Sequence, residues 1–132
     1  MLAEGYKGVL FLKGLLETGT RQFRAVSYRQ FGNRASSFDQ FLELNRKKNI
    51  TLEESRDPRI DDEQFGFVVG WQFLLRGRPD CCIVFHDSLL PKLRVFAPTV
   101  AALLCGAEVI GVTALRPGIW VTRRPGQVRL SR

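Results

Sequence analysis

A chain of 132 residues with 45% apolar and 25% charged residues is long enough for one globular domain with its own core and too apolar for a disordered one. No apolar run reaches the roughly 18 residues of a membrane span. The opening Met1-Leu2-Ala3-Glu4-Gly5-Tyr6-Lys7 lacks the basic-then-apolar order of a secretion signal, so a cytoplasmic protein without a membrane partner is expected. The net charge is +7 and unevenly spread: all 13 acidic residues lie at or before Glu108, and Arg116, Arg123, Arg124, Arg129 and Arg132 follow. Such an acid-free end can attract phosphate or RNA. The 3 cysteines include the adjacent pair Cys81 and Cys82 and show no Cys-x-x-Cys spacing. They are expected to be reduced core residues, with no metal site.

In chain order, Gly8 to Glu17 carries Val9, Leu10, Phe11, Leu12, Leu15 and Leu16 and predicts a mostly buried helix that stops at Gly19. Phe23 to Tyr28 has the aromatic and β-branched content of a strand. Ser37-Phe38-Asp39-Gln40 reads as a capping box opening a helix to about Lys47, with Phe38, Phe41 and Leu42 on its apolar face. Ile50 to Glu53 is a candidate short strand. Arg56 to Glu63 is a mixed-charge loop or irregular helix start. Strands are predicted at 65–70, 81–86 and 108–114, and a helix at 98–105 with Pro98 in its first turn and Gly106 past its end. Ile119-Trp120-Val121 and Val128-Arg129-Leu130 are candidate short strands.

Helices alternating with strands predict an α/β fold, with a Rossmann-like, mostly parallel sheet and flanking helices. Few residues precede the first helix, so the first strand is expected to be short or absent and the fold incomplete at both ends. Residues 1–116 are expected to form the α/β domain and 117–132 a basic tail.

The only histidine, His86, follows the apolar run Cys81-Cys82-Ile83-Val84-Phe85. It therefore falls at the carboxyl end of a buried strand, where open α/β sheets bind their ligands. Ser88 has no Gly-x-Ser-x-Gly elbow and no second histidine, which excludes a serine triad. Gly5-Tyr6-Lys7-Gly8 lacks the Gly-Lys-Ser/Thr ending of a P-loop, and Gly66 and Gly70 do not form a dinucleotide fingerprint.

His86-Asp87-Ser88-Leu89-Leu90-Pro91-Lys92-Leu93-Arg94 resembles the His-x-Ser-Leu-Leu-Pro-x-x-Arg-Gly signature of formyltransferases that use 10-formyltetrahydrofolate. The methionyl-tRNA formyltransferases and sugar N-formyltransferases are the nearest members. The resemblance covers about residues 64–116, with Phe67 to Trp71 similar to the family's preceding strand and folate-facing loop. It implies formyl transfer to an amine, on an aminoacyl-tRNA or a sugar nucleotide. By that resemblance His86 is the catalytic histidine, and Trp71, Phe73, Leu74, Ser88, Leu90, Pro91 and Arg94 contact the folate cosubstrate.

Three positions depart from the family. Its asparagine, two residues before the histidine, is Val84, which cannot hydrogen-bond. Its aspartate falls near Leu115-Arg116-Pro117-Gly118, where no acid stands. Its glycine after the arginine is Val95. Asp87, beside His86, is expected to point away from it if the backbone stays extended. The family domain is longer than this chain, so a truncated, impaired formyltransferase is expected. The alternative is a non-catalytic binding module whose basic tail docks on RNA or another acidic partner.

Overall fold

The computed structural model describes residues 1–20, 22–30, 37–60, 65–94 and 96–117. The elements run β1 (Leu2–Ala3), α1 (Gly5–Glu17), β2 (Arg24–Ser27), α2 (Ser37–Lys48), β3 (Thr51–Glu54), β4 (Arg59–Ile60), β5 (Gly66–Val69), β6 (Arg76–Gly77), β7 (Cys82–His86), α3 (Pro98–Leu104) and β8 (Thr113–Leu115). Six strands form one sheet in the order β3-β2-β1-β5-β7-β8. Every pairing in it is parallel except the last, β7 with β8. The fold is therefore the expected Rossmann-like α/β arrangement.

The period-two alternation of the strands divides the core into two layers. Ala3, Ala25 and Val69 face Val9, Leu12 and Leu16 of α1 and Phe41 of α2. Leu2, Val26, Val68 and Cys82 form the other layer, closed by Ile60 and the half-buried Trp71 and Leu75. Gly8 allows the close approach of α1 to the sheet. A Cβ there would lie 2.9 Å from that of Ala3 and 3.1 Å from the Phe41 ring.

The first strand is as short as expected, yet it sits in the middle of the sheet. Leu2 pairs with Val26 on one side and Val68 on the other. Flanking backbone bonds lengthen this seam: Val26 N–H to Met1 O at 2.8 Å, Glu4 N–H to Val69 O at 3.0 Å, and the terminal ammonium to Arg24 O at 2.6 Å. Two residues suffice because both neighbours supply ladder partners.

Four expectations need correction. Ser37 does not serve its own helix: its Oγ accepts the Gly5 N–H at 3.2 Å and donates to Glu4 Oε1 at 3.4 Å. It thus satisfies an orphan N–H at the start of α1, the neighbouring helix on the same face of the sheet, rather than one of α2. Within Arg56 to Glu63, Arg59–Ile60 forms a strand, paired in parallel with β6 in a separate two-stranded ribbon; Asp61 to Glu63 lie outside the described residues. Cys82 is buried and Cys81 half-buried, but Cys105 is exposed past the end of α3.

The fourth correction is the largest. Of the strand predicted at 108–114 only Thr113–Leu115 is formed, and it runs antiparallel to β7. A parallel return needs a crossover that takes the chain back to the amino edge of the sheet. Between β7 and β8 the chain instead stays at the carboxyl edge, where Thr113 Oγ1 donates to Ser88 O at 2.6 Å and accepts the Leu90 N–H at 3.1 Å. Val109, Ile110 and Val112 are left exposed. The region beyond Pro117, with both candidate tail strands, lies outside the described residues, as does Val95.

Candidate ligand site at the switch point of the sheet

Strand order reverses between β1 and β5: the chain winds outward to β2 and β3 on one side, then to β7 on the other. Such a switch point opens a crevice outside the carboxyl ends of the strands. A cavity of about 340 Å³ occupies it, at the small end of the about 300–1,000 Å³ typical of ligand pockets. Its walls include Glu4 and Lys7 after β1, Trp71 after β5, Val84 and His86 of β7, and Pro98 at the start of α3.

Gly70 makes the entrance possible. Its φ is +67°, and a Cβ there would lie 2.7 Å from the Glu4 carbonyl oxygen. Only glycine tolerates both the left-handed backbone and that approach. The chain then turns out of β5 and presents Trp71, whose ring meets Tyr28 edge-on at 5.4 Å and Phe73 at 5.8 Å. Trp71 Nε1 and Tyr28 Oη are buried donors with no partner among the described residues.

His86 closes β7, and its Nε2 lies 3.1 Å from Leu93 O. A carbonyl only accepts, so Nε2 carries the hydrogen and Nδ1 is the remaining nitrogen. The loop that supplies Leu93 is tied from within. Ser88 Oγ donates to Lys92 O at 2.9 Å and approaches Leu93 O at 3.3 Å, and Arg94 Nε donates to Pro91 O at 3.1 Å. Ser88 is 3% exposed. Its hydroxyl shapes the loop rather than lining the His86 cavity.

Asp87 departs from the expected outward direction. The Ser88 N–H bonds His86 O at 2.8 Å, closing a three-residue turn with Asp87 at its centre. The backbone is no longer extended there, so Asp87 lines the same cavity as His86. It also pairs with Lys7.

Of the folate-contact residues expected from the resemblance, Trp71 joins His86 in this cavity; Ser88 lines a second, neighbouring cavity. Phe73 and Leu74 are exposed, and Leu90, Pro91 and Arg94 line neither cavity. The ionisable residues Glu4, Lys7 and Asp87 were not legible as site residues. Glu4 follows a two-residue strand and Lys7 lies in the first turn of α1, and so short a strand is too weak a signal to place them at a switch point.

Burial shapes the electrostatics of this wall. Glu4 is 6% exposed, and burial raises its carboxyl above the usual carboxylate range, against the opposing Ser37 hydroxyl, Gly5 N–H and Lys7 charge. Burial also lowers the Lys7 ammonium, with the charge of Glu4 opposing. Tyr28 is raised by burial and then by the charge of Glu4. The wall therefore combines the buried acid Glu4, the Asp87 carboxylate paired with the more exposed Lys7 ammonium, and an imidazole, without a grouping of three or more metal-ligating side chains among the described residues. No helix among the described residues is long and apolar enough to cross a membrane. No family model, curated protein or solved structure matches the chain.

Proposed function

We propose that this chain is a formyltransferase-like domain that binds 10-formyltetrahydrofolate at the switch-point cavity and passes the formyl group, slowly, to an amine. The observation that carries the reading is the meeting of His86, Trp71 and Val84 on one cavity at the carboxyl edge of the sheet. Those are the histidine of the signature, the aromatic residue of its folate-facing loop, and the position where the family's asparagine stands.

In this reading the amine nitrogen attacks the formyl carbon, the bond from that carbon to N10 of the folate breaks, and the amine proton ends on N10. The products are a formamide and tetrahydrofolate. Because Nε2 of His86 is bonded to Leu93 O, Nδ1 faces the chemistry and donates to the oxyanion only as imidazolium. Val84 adds no donor, so one element of oxyanion stabilisation is missing. Acceptors are an aminoacyl-tRNA or an amino sugar nucleotide, and the setting is the cytoplasm.

The test is calorimetric titration with the stable donor analogue 10-formyl-5,8-dideazafolate. Saturable binding that His86→Ala and Trp71→Ala both weaken at least tenfold supports the reading. An absence of binding at millimolar analogue removes it and leaves the non-catalytic alternative.

A further inference from the structure

A second cavity of about 310 Å³ lies beside the first, between the signature loop and the segment after α3. Its walls are mostly apolar, with Leu89, Leu93, Ala102, Val109 and Ile110 among them, and its charged residues are Asp87, Lys92 and Glu108. Asp87 is the residue common to the two linings.

Building on the donor site proposed above, we infer that the second cavity holds the apolar part of the acceptor amine and that Asp87, on the wall between the cavities, accepts the amine's proton. The turn closed by Ser88 N–H and His86 O sets Asp87 directly after the imidazole, so proton acceptor and oxyanion donor act from adjacent residues. Lys7 holds Asp87 Oδ2, which leaves Oδ1 for the amine. The Asp87 side chain is 21% exposed, partly shielded yet reachable from both sides.

The proton balance is complete. The neutral amine nitrogen bonds to the formyl carbon, Asp87 Oδ1 takes the proton from that nitrogen, the carbon–N10 bond breaks, and Asp87 returns the proton to N10. Asp87 ends ionised, as it began. This supplies the carboxylate whose family position, near Leu115 to Gly118, is empty of acid. An apolar lining favours an amine carrying an aliphatic side chain over a polyhydroxyl sugar, whose hydroxyls would lose water without gaining partners.

The charged groups facing Asp87 are Lys7 of α1 and Glu4 before it, His86 next to it in β7, and Lys92 and Glu108 around the second cavity.

The experiment measures formyl transfer from 10-formyltetrahydrofolate to leucinamide and to glucosamine, by mass spectrometry of the formamide, beside donor binding by calorimetry. Expected results are faster transfer to leucinamide, and a fall of about 10²-fold in kcat for Asp87→Asn. Donor affinity should change less than twofold, the acid limb should be lost, and Asp87→Glu should recover at least a tenth of the rate. Ile110→Trp, which fills the second cavity, should raise KM for leucinamide at least tenfold with donor affinity unchanged. Wild-type rates in Asp87→Asn, or preference for glucosamine, overturn the inference while the donor site stands. Failure of the wild-type chain to bind donor overturns both.

Discussion

His86 Nε2 donates to the carbonyl oxygen of Leu93 at 3.1 Å, joining the end of β7 to the far side of the signature loop. Leu93 has a φ of +52°, a left-handed conformation that a leucine holds only when its surroundings impose it. The imidazole, with Ser88 Oγ at 3.3 Å from the same oxygen, imposes it here. His86→Ala should therefore lower stability by about 1 kcal/mol, besides weakening donor binding. Urea denaturation and limited proteolysis across 88–94 measure the two consequences; a loop no more cleavable than in the wild type would contradict the tie.

Val84 faces the switch-point cavity and packs on the core layer around Leu2 and Cys82. Val84→Asn should place an amide donor beside His86 and raise formyl transfer by about 10²–10³-fold. The substitution should cost about 1–3 kcal/mol of stability, from the polar group set among apolar neighbours. Val84→Leu is the control, with no gain in rate. Single-turnover assays together with thermal melts decide between catalytic repair and simple damage.

Glu4 makes stability depend on pH. Its folded carboxyl titrates above the unfolded one because of burial, so between those two values the folded state holds more proton than the unfolded state. Stability then falls as pH rises through that window. Glu4→Gln keeps an acceptor for Gln30 Nε2, now at 2.7 Å from Oε1, and removes the titration. The melting temperature of Glu4→Gln relative to wild type should climb as pH rises above the ordinary carboxylate range, and level off once the folded Glu4 carboxyl has lost its proton. A constant difference would show that the carboxyl is not held up by burial.

Gly70→Ala should cost about 1–3 kcal/mol, because its backbone is left-handed at φ +67° and the new methyl would meet Glu4 O at 2.7 Å. The damage should concentrate at the seam between β1 and β5. Hydrogen exchange should quicken at Glu4 N–H, whose bond to Val69 O lies next to it. Unchanged exchange there, with an unchanged melting temperature, would mean the approach is looser than described.

Formyl transfer by the unaltered chain should run about 10²–10³-fold below an ordinary enzyme, for want of the oxyanion donor missing at Val84. Turnover near 1 s⁻¹, within the ordinary range, would show that another group makes good the loss.

Much of the fold was legible because it rests on local patterns. The runs at 66–69 and 82–86 are almost continuously apolar and the stretch around 24–27 has aromatic and β-branched content, as buried strands do, and α1 and α2 bury Val9, Leu12, Leu16, Phe38 and Phe41 at helical spacing. The position of His86 at a strand end followed from the same patterns, since an apolar run that stops at a polar loop marks its own boundary.

Tertiary structure decided the rest. A two-residue β1 has no periodicity to read, and its place at the centre of the sheet follows from the pairing of Leu2 with both Val26 and Val68. The apolar run at 108–112 looks like a buried strand, yet the chain never crosses back under the sheet, so Val109 and Ile110 wall a cavity instead. Ser37 carries the local mark of a cap for α2, yet bonds the Gly5 N–H of α1. Asp87 shares a cavity with His86 because a hydrogen bond, Ser88 N–H to His86 O, bends the chain where an extended strand would have sent the two side chains to opposite faces. Side-chain type and spacing determine which segments are helix or strand. Which residues share a site depends on strand order and on where each connection crosses, and those are set by contacts between segments far apart in the chain.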